Sequence, residues 1–231
     1  MRRRARDGGR DPLPVALGLL TVLSGCVDAV AFLALGRVFT ANMTGNVVIL
    51  GFAAAGSPGF SASRSLVSLL AFLAGAVAGG RIHRHARSRR SRIVITLAAE
   101  AALAGLAAGA SAVLGLSAEG HRSVVIALVA AGMGLQNAIV RVLGVPDMTT
   151  TVLTRTLTGL AAESFLAGGT DPRALRRAVS VLAIFCGACA GAVLLRRLHP
   201  GWILLAVAGG VALIAAGYAL HPASRRDGPA R

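Results

Sequence analysis

Lysine is missing from this chain of 231 residues, and aspartate and glutamate together number only 9. All 24 basic residues are arginine, which leaves a formal net charge of +15. Charge of either sign is scarce, at 14% of residues, and aromatic side chains make up 4%, with one Trp and one Tyr. A soluble domain usually carries about 25% charged residues and about 45–50% apolar residues with Gly included. This chain is 55% apolar before its 29 glycines are counted, and its mean hydropathy is +0.71. That composition excludes an ordinary soluble enzyme. The use of arginine alone, beside a bias toward Ala, Gly, Leu and Val, reads as coding composition and carries no functional information.

Residues that bear chemistry are also few. Cys26, Cys186 and Cys189 are an odd number, all within apolar stretches, which argues against a disulfide framework. Cys186-x-x-Cys189 lacks the strand and helix setting of a redox motif, so small packing residues are the better reading. The five histidines fall at the ends of apolar runs or in loops, and no imidazole relay or histidine metal site is visible. No Ser-His-Asp, metal-protease, phosphate-loop or nucleotide-fold motif occurs. No catalytic residue, metal or cofactor is assigned, and the chain is not read as an enzyme. The arginines cluster between long uncharged runs, not along amphipathic helices or among stacking aromatics. The charge is therefore a membrane-topology signal, and nucleic acid is not an expected partner.

The uncharged runs are Leu13–Leu35 (broken only by Asp28), Val38–Ser63, Ser65–Gly80, Ile93–Ala118 (only Glu100), Ser123–Val140, Ala178–Leu195 and Gly201–Leu220. A bilayer-spanning helix needs about 20 apolar residues. Most runs qualify, and Ser65–Gly80 does so by borrowing residues on its N-terminal side. The first run is too long for a signal peptide and shows no small-residue cleavage site, so it reads as a retained helix. Five arginines precede it, and Arg81, Arg84, Arg87, Arg89, Arg90 and Arg92 share one short loop. Both segments should be cytoplasmic. An even number of crossings must separate them, yet three apolar runs lie between.

One of those runs therefore does not cross. Val38–Ser63 is the candidate, with Thr40, Asn42, Thr44, Asn46 and Ser57 among the helix breakers Gly45, Gly51, Gly56, Pro58 and Gly59. Non-helical backbone at membrane depth survives only inside protein or along a wet cavity. The segment is expected to be a half-helix or re-entrant hairpin facing the interior. A Thr-rich segment from Asp147 to Gly168 repeats the pattern after a span ending near Val142. The count becomes six crossings plus two interior segments, with Arg196 and Arg197 outside against the charge rule.

Asp28-Ala29 and Asn137-Ala138 lie 109 residues apart, and Met43-Thr44-Gly45-Asn46 and Leu153-Thr154-Arg155-Thr156 lie 110 apart. Similar polar signals in two halves indicate a duplicated unit. With three crossings in the first unit, the second must be inverted, a common plan in secondary transporters, whose sites form near the midplane from interrupted helices. Gly25-Cys26-Val27-Asp28-Ala29, Phe39-Thr40-Ala41-Asn42-Met43-Thr44-Gly45-Asn46, Gly134-Leu135-Gln136-Asn137-Ala138, and Thr149-Thr150 with Leu153-Thr154 resemble the YoaK-type family of bacterial integral-membrane proteins. The likeness covers about residues 14–221. It implies a polytopic inner-membrane protein of uncharacterised biochemistry, for which a permease role is a common guess. Where the resemblance leads one to expect Thr-Gly in the second polar segment, this chain has Thr154-Arg155.

An ionisable residue inside a span is costly and marks a functional hypothesis. Asp28 lies roughly 22 Å along a core about 30 Å thick. It shares a helical face with Thr21, Ser24 and Gly25. Asp28 either handles a cation or proton, or clamps the broken segment behind it. Gln136 and Asn137 either hydrogen-bond a solute or act as packing glue. Thr154 and its neighbours either satisfy freed backbone or coordinate a small ion. Arg155 and Glu163 form a relay only if their segment stays helical. Glu100 is expected to snorkel toward the Arg cluster or pair with it. Gly75/Gly79, Gly105/Gly109 and Gly187/Gly191 have the spacing of close helix seams, one of which could serve a homodimer. Trp202 and Tyr218 bracket the last span as interfacial anchors.

The fold expected is an all-α polytopic transmembrane bundle with an inverted internal repeat. An Arg-rich cytoplasmic segment (1–12) precedes a single transmembrane domain (13–221, halves 13–118 and 122–221) and a cytoplasmic tail (222–231). The leading function is a small-solute permease of the bacterial inner membrane, coupled to a proton or Na⁺. Its site would draw on Asp28, Asn42, Thr44, Asn46, Gln136, Asn137, Thr150 and Thr154. A structural or accessory membrane protein is the alternative, and a membrane-embedded enzyme acting on lipid is a weaker one.

Overall fold

The computed structural model describes residues 11–143, 153–170 and 173–225. Their elements are α1 (Leu13–Val30), α2 (Met43–Ala54), α3 (Ala62–His85), α4 (Arg89–Leu114), α5 (Glu119–Leu143), α6 (Leu153–Ala162), α7 (Ala174–Leu194) and α8 (Pro200–Leu220), with no strand among the described residues. A π-helical turn, Ala31–Gly36, prolongs α1. Six helices, α1 with its π turn and α3, α4, α5, α7 and α8, run 21 to 26 residues and are long and apolar enough to cross a membrane. At 1.5 Å per residue, the 12 residues of α2 rise roughly 18 Å, and the 10 of α6 rise less. Six spanning-length helices and two short ones are the arrangement that the charge count demanded.

Local signals set the helix starts. The Ser61 and Ser88 side chains accept from Arg64 N and Ser91 N at the N-termini of α3 and α4. Pro200 opens α8 behind His199, whose Nδ1 accepts from Gly201 N. Beyond α1 the chain reverses at Gly36 and Arg37, the latter left-handed at φ 58. α3 gains spanning length at both ends, taking in Arg64 before its apolar run and Arg81–His85 after it. The Arg89 guanidinium meets Asp11 at 3.2 Å, and Arg90 donates to the Ala219 carbonyl. These contacts gather the start of α1, the α3–α4 loop and the end of α8 at one end of the bundle. At the other end Arg64 of α3 faces Glu119 of α5 at 3.9 Å. α1 and α5 thus begin at opposite ends, and the repeat is inverted.

The glycines carry that repeat into the packing. A Cβ at Gly187 of α7 would collide with the Val22 carbonyl of α1, and one at Gly75 of α3 with the Ala131 carbonyl of α5. Reciprocally, Gly25 of α1 sits against Ile184 and Ala188, while Gly134 of α5 sits against Phe72 and Ala76. Gly191 meets Cys26 and Ala29 as Gly79 meets Leu135 and Ala138. Val22, Gly25, Cys26 and Ala29 each precede their counterparts on α5 by 109 residues, the interval separating Asp28 from Asn137. The first span of each half therefore packs on the third helix of the other, and the halves interlock.

Gly105 and Gly109 break the expectation of a third seam, because nothing lies within 4 Å of a Cβ at either. Their face of α4 points away from the packed interior. Trp202 is 65% exposed, as an anchor would be, but Tyr218 is buried at 2% and belongs to the core with Leu97, Ile126, Ile203 and Val211.

Candidate functional site

The polar stripe of α1 points inward, and its hydroxyls are satisfied locally. Thr21 Oγ1 donates to Leu17 O at 2.8 Å and Ser24 Oγ to Leu20 O at 2.9 Å. Asp28 differs. After the Gly36–Arg37 reversal the chain runs back along α1, and Asp28 Oδ1 accepts from Thr40 N (2.8 Å), Thr40 Oγ1 (3.1 Å) and Ala41 N (2.9 Å). Thr40 is fully buried. Amides there have neither helix nor water to turn to, and the carboxylate takes their place. Of the two readings of Asp28, its hydrogen bonds describe the clamp, which fixes where α2 begins.

Asn46 is a second brace. Its Oδ1 accepts from Phe39 N at 2.8 Å, and its Nδ2 donates to Phe39 O and, at 3.1 Å, to Ser68 Oγ of α3. It is 1% exposed and turned toward α3. Asn46→Leu would orphan the Phe39 amide, at about 1–3 kcal/mol for a buried group left unpaired, while the Phe39 carbonyl keeps the Ser68 hydroxyl at 2.6 Å. A fall of several degrees in the thermal unfolding midpoint in detergent is expected, and an unchanged midpoint would refute the brace.

A cleft of about 1130 Å³ lies between α1, α2, α6 and α7. Asp28, Asn42 and Thr44 from the first half and Thr154 from the second supply its polar wall. Phe32, Phe39, Phe52, Phe60 and Phe185 line the remainder, five of the seven phenylalanines in a chain poor in aromatics. Phe32 stacks on Phe39 with centroids 5.1 Å apart, and the Arg37 guanidinium lies 5.9 Å above the Phe60 ring. The signal for this cleft was present in the sequence as a run of four phenylalanines between positions 32 and 60.

The remaining candidates lie elsewhere. Gln136 is 3% exposed and sits between Ser24 of α1 and Glu100 of α4. Asn137 Nδ2 donates to Met133 O of its own helix at 2.9 Å. Thr150 lies outside the described residues. Arg155 is exposed, and α6 ends before Glu163, whose carboxylate instead takes a two-pronged ion pair from Arg177 at 2.9 and 3.2 Å. The Arg155–Glu163 relay is therefore not formed. Glu100 does not snorkel: it is 2% exposed, with no ion pair to it among the described residues. Helical pitch carries it into the seam with α5, where its Cγ packs beside Gly132.

Comparison with known proteins agrees with this architecture. A family profile described as "Protein of unknown function (DUF1275)" matches residues 16–217. The UPF0700 transmembrane protein YoaK of Bacillus subtilis (strain 168) is 35% identical over 146 residues, which cover 62% of this chain and 64% of the relative. The chain thus spans under two thirds of that relative's length. No solved structure matches.

Proposed function

The chain belongs to the DUF1275 family of proteins of unknown function, and from that premise we propose that this membrane protein is a small-solute permease whose binding site is the cleft between α1, α2, α6 and α7. One observation carries the reading. The first turn of α2, with Asn42 and Thr44, and the first turn of α6, with Thr154, open on the same cavity from opposite halves of an inverted repeat. Paired broken segments at a repeat interface are where secondary transporters place solute. The composition of the wall defines the solute class. Five phenyl rings favour an apolar or flat body, while the amide, hydroxyls and carboxylate at one side favour a polar or cationic head. The Arg-rich end, with both termini, faces the cytoplasm of a bacterial inner membrane under the positive-inside rule.

Asp28 is a poor probe of this reading, because removing it also unclamps α2. Asn42→Ala and Thr154→Val change exposed side chains of the wall without touching that clamp. A thermal-shift screen of amphipathic amines and amides should find solutes that raise the midpoint of the wild type and fail to do so for either variant. The same solutes should show counterflow in proteoliposomes. Stabilisation without counterflow would leave a binding protein and refute the permease.

A further inference from the structure

We propose that Glu100, held by Gln136 and Ser24, is a proton-binding site inside the bilayer. The three residues come from α4, α5 and α1, and all are at most 3% exposed. Gln136 has two orientations that fit the same heavy-atom positions. In one, Nε2 donates to Ser24 Oγ at 3.2 Å and Oε1 faces Glu100 Oε1. In the other, Nε2 donates to Glu100 Oε1 at 2.7 Å and Oε2 at 3.3 Å, and Oε1 accepts from Ser24 Oγ at 3.2 Å.

Each orientation belongs to one protonation state. Two oxygens 2.7 Å apart need a hydrogen between them, so the first orientation requires Glu100 as the carboxylic acid, donating to Gln136 Oε1. It gives an unbroken chain: Glu100 to Gln136, Gln136 to Ser24, Ser24 Oγ to Leu20 O at 2.9 Å. Every donor then has one acceptor. The second orientation serves the carboxylate, and the single hydroxyl hydrogen of Ser24 is drawn from Leu20 O to Gln136 Oε1. Loading moves one proton from water to the carboxylate oxygen, and unloading returns it; no other bond changes.

No cation supports the ionised form. Around Glu100, α5 presents no titratable side chain between Arg122 and Arg141, and α3 none between Arg64 and Arg81. α8 offers only Tyr218, and α1 only Cys26 and Asp28. An unpaired buried charge is expensive, so the acid chain is the resting state. The site is independent of the solute cleft, and failure to find a solute leaves it standing.

Infrared difference spectra of the purified protein, recorded across the pH range in which it stays folded, test the proposal. The wild type should show the carbonyl stretch of a protonated carboxylic acid. The band should be lost in Glu100→Gln and kept in Asp28→Asn. In Gln136→Met the acid loses its acceptor, and the band should move to higher frequency. A wild type without the band, a band that survives Glu100→Gln or disappears with Asp28→Asn, or an unmoved band in Gln136→Met would overturn it. The last comparison stands even if Glu100→Gln fails to fold.

Discussion

Asp28→Ala is expected to unfold the first turn of α2 and to strip the cleft of the part of its polar wall that the first half supplies. The substitution leaves Thr40 N, Thr40 Oγ1 and Ala41 N without their common acceptor, in a segment where Thr40 is fully buried. Each orphaned donor costs about 1–3 kcal/mol, and in the bilayer no water replaces the carboxylate. A fall in the thermal unfolding midpoint on the order of 10 °C follows, at about 2–4 °C per kcal/mol for a chain of this size. Asp28→Asn keeps one acceptor oxygen in place and should lose far less. The contrast separates clamp from ion carrier: a residue serving only as an ion site would tolerate Ala thermally and lose function equally in both variants. Midpoints measured in one detergent decide it, and an Ala variant as stable as the wild type would remove the clamp.

Gly187→Ala and Gly75→Ala should be damaging to a similar degree, while Gly105→Ala should be neutral or slightly stabilising. The same methyl group is added to three transmembrane helices with different outcomes. At Gly187 and Gly75 it meets the backbone carbonyls of Val22 and Ala131, which cannot rotate away as a side-chain end can. Overpacking of this kind costs about 1–3 kcal/mol and more when main chains are pushed apart. At Gly105 nothing lies within 4 Å, and Ala favours helix over Gly by roughly 0.5–1 kcal/mol. Combining Gly75→Ala with Gly187→Ala should abolish monodisperse protein, since both cross-half seams open together. Equal stability for Gly187→Ala and Gly105→Ala would show that the seam is not tight.

The spans were legible because the bilayer imposes a length and a polarity that a local stretch of sequence must satisfy by itself. Asn42, Thr44 and Thr154 were legible as cleft residues for a related reason: polar residues among helix breakers have few places to go in lipid. Asn46 carried the same signal and went elsewhere, to Phe39 and Ser68, because it lies two residues past Thr44 on α2, and about 100° per residue puts the two on opposite faces. Gln136 shows the same limit, since its partners Ser24 and Glu100 are distant in sequence and meet only when three helices pack.

The sequence by itself determined that this is a membrane protein with six long apolar helices and two interrupted segments, and which end of each carries the arginines. Hydrophobic length and charge are local quantities, readable one helix at a time. Only the tertiary structure decided which Gly-x-x-x-Gly pairs are seams, that Asp28 spends its hydrogen bonds on the backbone, and that Glu100 faces Gln136 instead of the surface. Those outcomes depend on the rotation of each helix about its axis. That rotation is set by which helix lies beside it, and lipid, being as apolar as the helices themselves, gives no local pattern from which to infer it.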